Sequence, residues 1–267
     1  MFYPPQLAHE EWLSYYARYF SSVEVDSTFY HMPGEKAVAH WLEQTPGDFV
    51  FNCKMPREIT HEMRLRNCED KVKIFLDGIE PLRPKLGCIL IQLPPVFTPK
   101  PDEKALRFFL AGLPPSFRFA VEFCHADWHL PRVVHHLEDH GICWAWNDTT
   151  ALHEQNSGAF EPLPQTAKFL YVRLLGDFRT KHRADGSRLH RYGSLMWPRD
   201  SSIENWAIKI QKHMADSERV FLHASNHFEG FAPLTCQRIG HLLNIPVELP
   251  GIEDAPVKSP ARQMNLL

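Results

Sequence analysis

Short runs rich in β-branched and aromatic residues alternate along this chain with longer segments of helical period, and polar turns separate them. The runs are SVEVDSTF (22–29), FVFNCKM (49–55), GCILIQL (87–93), FRFAVEF (117–123), ICWAWND (142–148), KFLYVRL (168–174) and RVFLHAS (219–225). Several are apolar without interruption, as expected of strands covered on both faces. Between them, amphipathic spacing predicts helices over Glu35–Gln44, Asp70–Arg83, Glu103–Leu110, Pro131–His140, Ser202–Ala215 and Leu234–Leu243. Pro101 with Asp102, and Ser201 with Glu204, read as helix starts. Regular strand–helix alternation implies an α/β protein with a parallel sheet.

Polar residues interrupt the apolar runs chiefly at their C-terminal ends: Glu24, Asp26, Ser27, Lys54, Gln92, Glu122, Asp148, Arg173, Ser225 and Asn226. An open doubly wound sheet gathers its site at one switch point, whereas a (β/α)8 TIM-type barrel collects residues from every strand end. The pattern therefore predicts the barrel, as one domain over residues 1–249. Residues 250–267 are rich in Pro and polar side chains without period, and read as a flexible tail. A length of 267 residues suits one such unit.

Composition narrows the function classes. The formal net charge of -3 argues against a surface that tracks polyanions throughout. No apolar run is long enough for a membrane span and the N-terminus lacks a signal pattern, so a cytoplasmic location without membrane contact is expected. The six cysteines are scattered without a CxxC pair and read as reduced, buried thiols. The fingerprints of dinucleotide binding, of P-loops and of the hydrolase nucleophile elbow are missing.

The same strand ends carry a resemblance. VEVDSTFYHMP (23–33), WLEQTP (41–46), FNCKMPREITH (51–61), LIQLPPVF (90–97), VEFCHADW (121–128) and TAKFLYVRLLG (166–176), following the opening FYPP, are similar in order and spacing to the YecE-like family, the domain of unknown function 72. That resemblance implies a TIM barrel of unassigned activity. Members of the family open with a strand ending in a GTSGW-like motif, so the first barrel strand is expected to be missing or truncated, through a late annotated start or a gap in the wall. Cys124 stands where the family has an arginine, and Leu175-Gly176 where it has His-Gly.

Candidate chemistry follows from the strand ends. Glu24 and Glu122, expected on nearly opposite sides of the mouth, and Asp148 beside Glu122, are costly there unless paired or used. With His125, and with His61 and His223 as further partners, they could hold a divalent metal or exchange protons. Ion pairing with Lys54 and Arg173 is the structural alternative. Glu122, His125 and Asp148 are the metal candidates. Lys54 could bind a phosphate or carboxylate or form a Schiff base. Gln92, Asn226 and Arg173 could orient substrate, and Tyr30, Phe29 and Trp128 could stack on a base or sugar, or simply pack. Of the HxxxH pairs, His136/His140 alone lies on a predicted helix, and reads as a solvated face. The connection 176–199 is basic, with Arg179, Lys181, Arg183, Arg188, Arg191 and Arg199 among aromatics, and suits a phosphate-containing ligand. At the C-terminus, Gln263, Met264, Leu266 and Leu267 resemble the QLxLF-type peptide with which bacterial DNA repair and replication proteins grip the sliding clamp.

Three functions compete on this evidence: a metal-dependent phosphodiester hydrolase brought to DNA by its tail; a small-molecule enzyme using Lys54 and Glu122 on a phosphorylated or carboxylated substrate; and a non-catalytic adaptor binding DNA or a partner.

Overall fold

A computed structural model describes residues 2–148, 163–176, 192–245 and 247–250. The basic stretch 177–191, with Arg179, Lys181, Arg183 and Arg188, and the tail residues Gln263, Met264, Leu266 and Leu267 lie outside the described residues.

Each of the seven predicted segments contains a strand, but the first, SVEVDSTF, is extended only to Val25, and its Ser27–Phe29 belong to a helix over Ser27–Tyr30. The strands are β1 (Ser22–Val25), β2 (Val50–Lys54), β3 (Leu86–Gln92), β4 (Phe119–Glu122), β5 (Cys143–Trp144) with β6 (Trp146–Asn147), β7 (Phe169–Leu174) and β8 (Arg219–Ala224). The segment ICWAWND supplies two short strands because the chain changes partner at Ala145. Cys143 and Trp144 pair with β4, while Trp146 and Asn147 pair with β7. The result is two parallel sheets, ordered β1-β2-β3-β4-β5 and β6-β7-β8. No ladder joins β8 to β1 among the described residues.

Helices cover the strands much as the periodicity requires. They are α1 (Trp12–Tyr16), α2 (Ser27–Tyr30), α3 (Glu35–Glu43), α4 (Glu69–Ile79), α5 (Pro99–Ala111), α6 (Pro131–Asp139), α7 (Asp200–Met214), α8 (Asn226–Glu229) and α9 (Ala232–Leu242). Two boundaries differ from the sequence expectation by more than two residues. The helix predicted to run to Arg83 ends at Ile79 and continues as a 3-10 turn over Glu80–Lys85, which holds Pro81 and Pro84. The helix predicted from Glu103 begins at Pro99, where Thr98 is extended and the Asp102 carboxylate reaches back 3.0 Å to accept the Thr98 N–H. On α7, Ile203, Trp206, Ala207 and Ile210 are buried at helical spacing.

Alternation along the strands separates two cores. Ile89, Ile91, Val121, Leu170 and Val172 face the helices in the larger one. Their neighbours Cys88, Leu90, Ala120, Cys143, Ala145, Phe169, Tyr171 and Phe221 face one another in a second core on the opposite side of the strands. Space there is tight. A Cβ on Gly87 would lie 2.4 Å from Val50 Cγ1 and 2.8 Å from the Phe221 ring, so strand β3 can only start its inner face with glycine. A third cluster joins Phe2, Tyr15, Tyr16 and Phe20 to Phe231 and Leu234 at the start of α9. No helix among the described residues is long and apolar enough to cross a membrane.

Candidate functional site

Above the second core, the inner faces of the strands change from apolar to polar within one residue pair. Tyr171 is followed two positions later by Arg173, Ala120 by Glu122 and Leu90 by Gln92, while on β2 the already polar Asn52 precedes Lys54. Period-two geometry carries these side chains to the same face, one layer nearer the strand C-termini.

Arg173 is the centre of that layer. Its Nη2 and Nε donate to the Glu24 carboxylate at 2.5 and 2.9 Å, and its Nη1 donates to Glu122 Oε2. Glu24 also accepts the Tyr171 hydroxyl at 2.7 Å. Glu122 accepts Gln92 Nε2 at 3.2 Å and Asn147 Nδ2 at 3.3 Å. The two carboxylates expected on opposite sides of the mouth therefore converge on one guanidinium, because β7 projects Arg173 between them. Burial by itself would push Glu24 up, but the Arg173 charge, with His223 and the Tyr171 hydroxyl, brings it down to about 2. Burial works against the Arg173 charge, and the Glu122 and Glu24 carboxylates reverse that and hold its pKa well above the ordinary value. Beside this clamp, Asn52 Nδ2 and His223 Nε2 are 3.0 Å apart, and burial lowers the His223 pKa.

Lys54, at the end of β2, has different surroundings. The alternative of an ion pair with Glu24 or Glu122 does not form, since both carboxylates are held by Arg173. Instead its Nζ lies 3.3 Å from Asp26 Oδ1 and 4.4 Å from the centre of the Phe29 ring. The Lys54 side chain is 10% exposed, that of Asp26 64%. His61 meets the same Phe29 ring edge-on, with centroids 5.1 Å apart. It belongs to a π-helical turn, Glu58–Glu62, and its Nδ1 lies 2.9 Å from Thr60 Oγ1. Burial, and then the Arg57 and Lys54 charges, lower the His61 pKa, which leaves a neutral imidazole at pH 7. The chain leaves this turn through Arg64, Leu65 and Asn67, all at positive φ, and buried Asp102 holds Arg64 and Arg66 across it.

The remaining candidates are dispersed. Asp148 accepts the backbone N–H groups of Leu175 and Gly176, and burial raises its pKa. His125 caps the 3-10 turn Ala126–Trp128 by accepting the Asp127 N–H at 3.2 Å. Among the described residues no group of three His, Cys, Asp or Glu side chains gathers as a metal ion requires, so Glu122, His125 and Asp148 do not come together as ligands. Trp128 is fully enclosed, stacked on Phe97 and bonded to its carbonyl at 2.7 Å, which leaves no face for a substrate. Asn226 accepts the Ala232 N–H at 2.8 Å and ties α8 to α9. Tyr30 is exposed on α2. Cys124 lies near Glu122, and burial pushes its thiol up, away from nucleophilic character.

Four participants escaped the sequence reading: Tyr171, Asn52, Asn147 and Thr28. Tyr171 and Asn52 each stand two positions before a charged strand-end residue, and Asn147 one position before Asp148. Alternation within each strand, rather than position at its end, was the available signal.

Comparison with known proteins agrees with this architecture. A family model described as "Protein of unknown function DUF72" matches residues 1–261. The UPF0759 protein YecE of Escherichia coli K12 is 41% identical over 128 residues, 45% of this chain and 47% of YecE. The UPF0759 protein YunF of Bacillus subtilis is 28% identical over 135 residues, 48% of each chain. The chain thus spans about half the length of the curated relatives it matches. Among solved structures, a DUF72 family protein from Thermotoga maritima superposes with a TM-score of 0.72 at 22% identity, over 91% of this chain and 92% of that one. One from Enterococcus faecalis gives 0.68 at 19%, over 90% and 91%. At those identities the structures share the fold, and the family match, covering nearly all of the sequence, places this chain in the DUF72 family of proteins of unknown function.

Proposed function

We propose that the C-terminal ends of β1 and β2 form the active corner of a small-molecule enzyme, in which Lys54 holds the phosphate or carboxylate of the substrate and His61 exchanges a proton with it. The observation that carries this reading is the state of Lys54. Its side chain is largely enclosed, yet its one ion partner among the described residues is the largely exposed Asp26 carboxylate. A buried cation with a weak, displaceable partner is suited to receive an anion, since the ligand replaces Asp26 at little structural cost. His61, edge-on to the same Phe29 ring, is uncharged at pH 7 and so can accept a proton from the bound molecule.

Glu122, first considered as the acid–base group, is better read as scaffold, because Arg173, Gln92 and Asn147 already occupy it. The same commitment weakens the metal-dependent phosphodiester hydrolase, whose carboxylate ligands would have to be taken from Arg173. DNA recruitment and the adaptor role rest on the basic connection and the tail as sequence. We further read the two sheets as the wall of a (β/α)8-type barrel. The inward-facing apolar core and the side-chain bridges from Glu24 to Arg173 and Asn52 to His223 support that closure.

Calorimetric titration with inorganic phosphate, then with sugar phosphates and 2-oxo acids, tests the reading. Saturable binding abolished in Lys54→Met supports it. Equal behaviour of the variant and the wild type removes it, and trapping with borohydride separates ionic binding from an imine at Lys54.

A further inference from the structure

We infer that Thr28 is the positioning residue for Lys54, acting through the lysine's backbone; the inference rests on the anion-binding corner described above. Strands β1 and β2 pair in parallel from Ser22↔Val50 to Val25↔Cys53, and the ladder stops there because the chain after Val25 turns into α2. Lys54 is thus the first residue of β2 whose β1-facing backbone groups have no strand opposite them. A buried amide and carbonyl left in that condition would be costly and would let the strand end fray.

The Thr28 hydroxyl takes over from the missing strand. Its Oγ1 accepts the Lys54 N–H at 2.9 Å and lies 2.8 Å from both the Lys54 and the Val25 carbonyl oxygens. A hydroxyl has one proton, so it accepts the amide and shares that proton between the two carbonyls. On the far side of β2, Met55 donates to Leu90 O at 2.8 Å, which holds the strand end from β3. Lys54 is therefore gripped at its own N–H and C=O by one side chain, itself fully buried, while its ammonium is left to the site. Serine could make the same bonds. Valine, of nearly the same shape, could make none.

Residue-resolved acylation of lysines by acetic anhydride, read by mass spectrometry, tests this on the intact chain. Rates at Lys54 are normalised to exposed Lys36 and Lys100, with and without inorganic phosphate. Lys85, whose ammonium donates to the Leu42 and Thr45 carbonyls at 2.9 and 2.8 Å, reports on the integrity of the fold. In Thr28→Val the Lys54 rate should rise at least threefold while Lys85 stays slow, and the phosphate dissociation constant should rise at least fivefold. Thr28→Ser should remain within twofold of wild type in both. An unchanged Lys54 rate in Thr28→Val, or a rise shared by Lys85, overturns the positioning role. Failure of phosphate to protect Lys54 in the wild type instead removes the proposed function, so the two failures are told apart.

Discussion

Two buried cations stand one layer above the same apolar core, and they differ in how fully they are occupied. Arg173 spends Nε, Nη1 and Nη2 on two carboxylates, which are in turn bonded to Tyr171, Gln92 and Asn147. Among the described residues Lys54 has one exposed carboxylate and an aromatic ring. A saturated network rigidifies and has nothing left to offer a ligand, whereas an undersubscribed charge is where recognition can happen. Residue type alone would have ranked Arg173 and Glu122 as the chemistry. The partners already held by Arg173 and Glu122 are what favour Lys54 and His61 in the proposed reading.

The contrast is broken most severely at Arg173. Arg173→Met should lower the unfolding free energy by about 3–5 kcal/mol, because it strands two buried carboxylates. Urea denaturation measures this, and the deficit should shrink in acid as Glu24 protonates. A loss under about 1 kcal/mol would place Arg173 outside any structural clamp.

Glu24 sharpens the same point through pH. Its pKa is depressed in the folded protein, so its contribution is present above the unfolded carboxylate value and lost as pH falls through about 2. A shift from 4.5 to about 2 corresponds to roughly 3 kcal/mol. Wild type should exceed Glu24→Gln by a margin of that order at neutral pH, and chemical denaturation should show it closing between about pH 4.5 and about pH 2.

At the other cation the stability effect should be small and the binding effect large. Lys54→Met should shift the urea midpoint by an amount equivalent to about 1 kcal/mol or less, consistent with a half-exposed ion pair and one cation–π contact. Phosphate binding should vanish with it. The smallest change is expected at Asp26. Asp26→Asn should leave the thermal midpoint nearly unmoved and tighten phosphate binding several-fold, since the competing anion is gone; weaker binding would mean that Asp26 assists the ligand.

The family resemblance in STFY, KMPREITH, QLPP and EFCH foretold the neighbours correctly, and the family match bears it out. Trp128 illustrates what motif position conceals. It follows the end of β4, where the sequence suggested a stacking surface, yet its indole turns away onto Phe97. Asp148 likewise follows a strand end but serves the Leu175 and Gly176 amides. Such choices depend on what the neighbouring strand presents.

By itself the sequence determined the alternation of strands and helices, the parallel pairing and the polar character of the strand ends, because those follow from periodicity and from local backbone preference. Tertiary structure alone decided the split of ICWAWND between two sheets, the convergence of Glu24 and Glu122 on one guanidinium, and the release of Lys54 from both. Each depends on the stagger between strands distant in sequence, which is set by packing across the inner core and leaves no trace in the spacing of residues along one strand.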